Sequence, residues 1–363
     1  MDKNHYCVIM AGGIGSRFWP LSKISKPKQF LDILGTGRTL LQSTYDRFRE
    51  IFLPENIIIV TNISYRDFVF EQLPDIKPGQ VLLEPMRKNT APCIAYANYR
   101  ISRMNPDAVV VVSPADHLIL KQDVFLAEIR KALEAASSEK ILLTLGIKPN
   151  RPETGYGYIQ ATMKDIPGRP GNFKKVKTFT EKPDIELARV FYESGEFYWN
   201  SGIFIWSLKA VMEAFAKHLP EMDALFAADM SVYGKPEEEK YVTDIYSVCT
   251  NISVDYGIME KAEDVYVFYS DFGWSDLGTW GSLYEHSGHD VNGNMLKGKN
   301  VFAYDVRNSI INFPDDKIVV LHGLDDFIVV ESGNILLVCR KEDEQRIKHF
   351  VNDVKIEKGE EYL

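Results

Sequence analysis

Ala108-Val109-Val110-Val111-Val112-Ser113, running into Pro114-Ala115-Asp116-His117, is the stretch that decides the fold. Four valines in a row leave no polar side for water, so this strand is expected to be buried on both faces. Such strands belong to sheets covered by helices on each side. The surrounding sequence agrees. Strand patterns at Tyr6–Met10, Ile57–Thr61, Val81–Leu83 and Ile141–Leu145 alternate with helical patterns at Leu40–Arg49, Arg66–Leu73, Pro92–Arg103 and Val124–Ala136. Strand and helix in alternation predict an α/β fold whose sheet is mainly parallel, and ligands of such sheets sit at the carboxyl ends of the strands. The loops after the strands are therefore where chemistry is expected.

The first such loop is Ala11-Gly12-Gly13-Ile14-Gly15-Ser16-Arg17. It reads either as a tight structural turn or as a cradle whose backbone N–H groups (Ala11, Gly12, Gly13, Gly15) face phosphate. It has neither the third glycine of the dinucleotide fingerprint nor the Lys of the Walker loop, so a nicotinamide dehydrogenase is disfavoured. From Ala11 to Leu40 the chain carries Arg17, Lys23, Lys26, Lys28 and Arg38 against the single acid Asp32. That basic island lies in a chain of 363 residues with net charge −9. An acidic surface argues against coating nucleic acid or an anionic membrane. A glycine loop followed by fixed cations suits a triphosphate and its pyrophosphate leaving group.

Ala11 through Leu21, with Phe18-Trp19-Pro20-Leu21, and then Lys26-Pro27-Lys28-Gln29-Phe30 resemble the signature of the sugar-nucleotide pyrophosphorylases, in the wording of the mannose-1-phosphate guanylyltransferases. The resemblance implies a Rossmann-like nucleotidyltransferase domain. It also implies transfer of GMP from GTP to mannose 1-phosphate, with Arg17 on the pyrophosphate end and Lys28 on phosphate. Other loops supply further candidates. Glu84-Pro85-Met86-Arg87-Lys88-Asn89-Thr90 follows the third strand; Asn89 or Thr90 would cap the next helix, or the segment reads the base. A carboxylate accepts from the N1–H and amine of guanine, so Glu84, with Asn89 in support, is the expected reader. Asp116 suits Mg²⁺, which prefers oxygen ligands. The family pattern pairs it with Asp276 of Gly273-Trp274-Ser275-Asp276-Leu277-Gly278. Gly155-Tyr156-Gly157, Glu181-Lys182-Pro183 and Trp199-Asn200-Ser201-Gly202 resemble the sugar-phosphate side of the family site. There Gly157, Glu181 and Asn200 would meet the sugar, and Lys182 the phosphates.

Past the middle the pattern changes. Apolar runs start near Val301, Ile310, Ile318, Phe327 and Ile335, eight or nine residues apart, with turn residues between. A small all-β unit is expected, ending in an amphipathic helix through Ile347, Phe350, Val351 and Val354. The spacing alone does not separate a flat sheet from a coil; the resemblance implies a left-handed β-helix-like unit that helps form a homodimer. The expected domains are 1–285 (catalytic) and 286–363, too short at the end for a fused isomerase. Four cysteines without a CxxC pair, no apolar span and no signal-peptide pattern lead to the expectation of a cytoplasmic enzyme. Two other readings stay open: a different sugar or base, and a catalytically silent sugar-nucleotide-sensing subunit.

Overall fold

A computed structural model describes all 363 residues, which form two compact units. The first comprises Met1–Gly12, Thr44–Ala115 and Ile119–Trp274; the second comprises Gly13–Ser43, Asp116–Leu118 and Ser275–Leu363. The segment carrying the basic island thus belongs with the C-terminal residues.

The first unit is built on nine strands: β1 (His5–Met10), β2 (Ile57–Asn62), β3 (Val81–Glu84), β4 (Val109–Pro114), then, beyond the two-residue β5 (Leu118–Ile119), β6 (Leu142–Ile147), β7 (Gly157–Ala161), β8 (Phe173–Glu181), β9 (Phe197–Ser207) and β10 (Val265–Tyr269). Their order across the sheet is β3-β2-β1-β4-β9-β6-β10-β8-β7. β3, β2, β1 and β4 are mutually parallel, so the loops leaving β1 and β3 open at one edge. The valine run lies between β1, parallel to it, and β9, antiparallel to it, and its side chains are buried. β9 enters the sheet from a distant part of the chain and runs antiparallel to both β4 and β6. The order α1 (Leu40–Arg49), α2 (Arg66–Gln72), α3 (Thr90–Met104), α4 (Gln122–Ser138), α5 (Ile185–Ser194), α6 (Leu208–His218), α7 (Pro220–Ala227) and α8 (Glu238–Val248) supplies the helices. Their ends follow local rules. Asp184 caps α5 by accepting from the Leu187 N–H at 2.8 Å, and Gly195, at φ 70°, stops it. Val110, Val112, Phe204 and Trp206 of the sheet pack with Ile94 of α3 and Phe215 of α6 in the main core.

In the second unit, after two-residue β11 (Trp274–Ser275) and α9 (Trp280–Glu285), come β12 (Met295–Lys297), β13 (Val301–Tyr304), β14 (Ile310–Asn312), β15 (Val319–His322), β16 (Phe327–Ser332) and β17 (Ile335–Arg340), then α10 (Ile347–Lys358). β12, β14 and β16 pair in parallel, as do β13 and β15. Each of these strands therefore pairs with the one two places on: the chain coils, and a flat meander is ruled out. Val301 faces Val319 and Ile310 faces Ile328, eighteen residues apart in each case. The eight- or nine-residue spacing of the sequence counts half-rungs. Within β14, Ile310 joins a core with Ile328, Trp280 and Ile347, while Ile311 points to a second cluster with Val306, Phe313 and Val329. Phe18, Trp19, Ile33 and Leu40 belong to the larger of these cores.

Candidate active site

In the first unit, β1 runs into Ala11-Gly12. The Ala11 N–H is spent on the Val60 carbonyl at 2.8 Å, and the Thr61 hydroxyl donates to the Ala11 carbonyl at 2.8 Å. The loop's first amide therefore belongs to the sheet. β3 ends in Glu84, whose side chain is buried and whose Oε1 accepts from the Tyr246 hydroxyl of α8 at 3.0 Å. Burial raises the Glu84 carboxyl to about 7, against the opposing pull of the Tyr246 hydrogen bond and the Arg87 charge. A Cβ at Gly12 would stand 3.1 Å from Glu84 Oε2. Glycine is thus the residue that lets the loop pass over this carboxylate. Asn89 occupies the N-cap position of α3 at φ 66° without capping it. Its side chain donates to Asn251 at 3.1 Å, and the Thr90 hydroxyl accepts from the Val254 N–H at 2.9 Å. Both side chains tie the loop to residues 251–254 and leave the helix end uncapped by either.

A second cluster in the same unit gathers Gly157, Glu181, Lys182 and Asn200. Gly157 opens β7 directly opposite Glu181 of β8, and β9 pairs with β7 and brings Asn200. A Cβ at Gly157 would collide with Glu181 Oε2 and lie 3.2 Å from the Asn200 Cβ. Glu181 Oε1 is held by the Lys182 ammonium, whereas Oε2 is buried without a hydrogen-bond partner. Asn200 accepts from the Thr144 hydroxyl at 2.9 Å and donates to Asp255 Oδ1 at 2.8 Å. Asp255 is not among the residues expected from the sequence. Burial, and then the negative charge of Glu181, push its carboxyl up to about 7 despite Lys182. Its signal lies in Ser253-Val254-Asp255-Tyr256-Gly257-Ile258-Met259, where it is the one charged residue. It starts a five-residue π-helical turn, Asp255–Met259, a shape frequent at functional sites. Two largely covered carboxylates beside one lysine, with an orphaned oxygen on Glu181, form a set of acceptors suited to sugar hydroxyls.

The second unit holds the cations and the candidate metal ligands. Gly15 stands at φ 65°, a left-handed conformation natural for glycine, and a Cβ there would press on Lys28 and Ser22 at 3.0 Å. The turn delivers Arg17, whose Nη1 donates to the Gly278 carbonyl at 3.3 Å. Lys28 is buried, and its ammonium reaches Asp116 Oδ2 at 3.0 Å, the Asp276 carbonyl at 2.7 Å and the Leu277 carbonyl at 2.9 Å. Its three donors are thereby matched by three acceptors. Asp276 Oδ1 accepts from the Gly278 N–H at 2.8 Å. Burial alone would raise the Asp116 carboxyl, but Lys28 and His117 outweigh it and hold the group below its usual range. Lys28 thus brings Asp116 and the Asp276 segment, far apart in sequence, to one place. No set of three or more His, Cys, Asp or Glu side chains is poised to hold a metal. Two carboxylates nonetheless fit Mg²⁺, which uses one or two of them and takes its other ligands from water and substrate phosphates. Lys23 and Lys26 line a different hollow.

The nucleotidyl transferase family model matches residues 6–293, and a model described as the mannoseP isomerase/GMP-like β-helix domain matches 299–354. A mannose-1-phosphate guanylyltransferase of Klebsiella pneumoniae is 39% identical over 362 residues, covering 98% of this chain and 75% of its own. One from Escherichia coli is 39% identical with the same coverage. The chain belongs to the mannose-1-phosphate guanylyltransferase family. Among solved structures, one described as a mannose-1-phosphate geranyltransferase from Thermus thermophilus aligns with TM-score 0.85 and 29% identity, over 97% of this chain and 99% of that one. A Helicobacter pylori structure described as a mannose-6-phosphate isomerase shares the fold, with TM-score 0.60 and 24% identity over 74% of this chain and 99% of that one. The resemblance drawn from the glycine loop and the Pro-Lys-Gln-Phe segment is borne out, as is the pairing of a nucleotidyltransferase domain with a β-helical end.

Proposed function

We propose that the chain transfers GMP from GTP to α-D-mannose 1-phosphate, releasing pyrophosphate and forming GDP-mannose. An oxygen of the sugar phosphate attacks the α-phosphorus in line. The new P–O bond forms as the bond to the bridging oxygen of the β-phosphate breaks, and pyrophosphate departs with that electron pair. No side chain becomes covalently attached. Two anions must approach each other, so placement and charge neutralisation do most of the catalysis. Glu84, ionised, accepts from the N1–H and exocyclic amine of guanine while Tyr246 fixes its rotamer. Gly157, Glu181 and Asn200 receive the mannose hydroxyls, and Asn89 and Thr90 hold the base loop. Arg17 stabilises the departing pyrophosphate. Lys182 counters charge on the reacting phosphates, and Lys28 does so while holding Asp116 and the Asp276 segment. Nucleotidyltransferases of this family use a divalent metal ion; Mg²⁺ held by Asp116 and Asp276 would supply Lewis-acid neutralisation of the phosphates.

The observation that carries the base assignment is Glu84, buried beneath Gly12 with Tyr246 on one oxygen. No helix is long and apolar enough to cross a membrane, and the four cysteines are free thiols. We infer from the family resemblance a homodimeric enzyme of the cytoplasm. We take residues 1–285 as the catalytic domain and 286–363 as its β-rich companion. The test is pyrophosphate release across four nucleotides and several sugar 1-phosphates, with and without Mg²⁺. Arg17→Ala and Asp116→Asn should each lower turnover by about 10²–10³. Activity confined to another base, or near-normal turnover in both variants, would overturn the proposal.

A further inference from the structure

The sequence shows five basic residues between Ala11 and Leu40, and the reaction uses two of them. Lys23 and Lys26 face elsewhere. Together with Lys297 of β12 and Asn312 of β14 they line a hollow of about 610 Å³ lying wholly within the second unit. None of Arg17, Lys28, Asp116 and Asp276 lines it.

Lys23 and Lys26 sit directly opposite each other in a tight antiparallel turn around Ile24-Ser25, exchanging backbone hydrogen bonds at 3.2 and 3.1 Å. Like charges in opposed positions repel, and here the backbone fixes them there. Lys297 adds a third cation, whose ammonium donates to the Asp32 carbonyl at 3.3 Å. Two of the three acids around the hollow are paired with lysines outside it, and the third, Asp32, is held by backbone amides. Glu331 pairs with Lys317, Asp315 pairs with Lys299 at 2.9 Å, and Asp32 accepts from the Thr36 and Gly37 amides at 2.9 and 2.8 Å. Asn312 is only 5% exposed, and its Nδ2 has no hydrogen-bond partner, a state that native structures seldom tolerate without a ligand or water to relieve it. Leu21, Ile33 and Phe313 give the hollow an apolar wall. Its volume falls in the range of about 300–1,000 Å³ usual for small-molecule sites.

We propose that this hollow binds a phosphorylated small molecule of sugar-phosphate size, its phosphate between Lys23, Lys26 and Lys297 and an oxygen of its body accepting from the Asn312 amide. The arrangement matches charge with charge, gives the orphaned donor an acceptor, and leaves a carbon skeleton for the apolar wall. The proposal stands apart from the assigned reaction, because the residues are different ones.

The test is calorimetric titration of the full chain with glucose 6-phosphate, which lacks the 1-phosphate that the reaction needs, and separately with inorganic phosphate. One saturable site for glucose 6-phosphate is expected. Lys23→Gln combined with Lys26→Gln should weaken it by about tenfold or more, while Arg17→Ala should leave it unchanged. Lys297→Gln, on another strand, should weaken it as well, and serves if the double variant melts early. Absence of saturable binding, or binding lost in Arg17→Ala and kept in the lysine variants, would overturn the proposal. Binding of inorganic phosphate without glucose 6-phosphate would overturn its sugar-phosphate part. None of these outcomes depends on GMP transfer, which the pyrophosphate assay measures separately.

Discussion

Replacing Glu84 with Gln should make the protein more stable at alkaline pH and less able to choose guanine. Glu84 titrates at about 7 in the folded chain, chiefly because it is buried, against about 4.5 when unfolded. A carboxyl raised in this way keeps its proton in the native state over a range where the unfolded chain has lost it. Its stabilising share is complete below pH 4.5, declines as pH rises, and is gone above 7. The difference between the two values corresponds to at most about 3 kcal/mol at roughly 1.36 kcal/mol per unit. Gln has the same shape, keeps an oxygen for the Tyr246 hydroxyl, and does not titrate. The measurement is urea unfolding of both chains at about pH 4 and about pH 8 without nucleotide. The variant should gain up to about 3 kcal/mol on the wild type between the two conditions. A remaining slope is expected in both chains from Asp255, also raised to about 7. If the two chains differ by the same amount at both pH values, Glu84 is not the strained buried acid described here. The same variant, assayed for pyrophosphate release, should lose its preference for GTP over ATP; an unchanged preference refutes its role as base reader.

Two further substitutions probe the other clusters. Gly157→Ala puts a methyl group against Glu181 Oε2 and 3.2 Å from the Asn200 Cβ; displacing such groups by ~1 Å costs up to about 10²-fold. The loss should appear in KM for mannose 1-phosphate with KM for GTP unmoved, and an equal rise in both would show that the cluster does not hold the sugar. Lys28→Met removes a buried ammonium from Asp116 and two carbonyls, which should cost about 2 kcal/mol after allowance for the partial exposure of Asp116. Urea unfolding at about pH 7 reads this directly, and an unaltered midpoint would contradict the bridging role.

What the sequence made legible was local. The valine run before Asp116 and the glycine loop both depend on neighbours in the chain, and both lie where local pattern puts them. The eight-residue rhythm from Val301 onward fixed the strands but not their pairing, since only the parallel ladder of Ile310 with Ile328 distinguishes a coil from a sheet. Asp255 escapes a reading of the sequence because its meaning lies in Asn200 and Glu181, 55 and 74 positions away. Lys28 was legible as a cation, yet its position beneath Asp116 and the Asp276 and Leu277 carbonyls is a property of the folded chain. The basic island reads as one feature, although its lysines serve two places.

The residues around Arg17 and Lys28 are made early, and several of their partners are made late. Arg17 meets Gly278 across 261 positions, and Phe18 and Trp19 wait for Trp280, Ile328 and Ile347 before they are covered. Closing so long a span is entropically slow. During synthesis Phe18 and Trp19 therefore lack much of their cover until the β-helical end has been made. A nascent chain stopped just after Ser275 has every strand of the nine-stranded sheet but neither the Gly278 carbonyl that Arg17 meets nor the Leu277 carbonyl that Lys28 meets. The β-helical end, made last, thus supplies the apolar cover for residues made at the beginning of the protein.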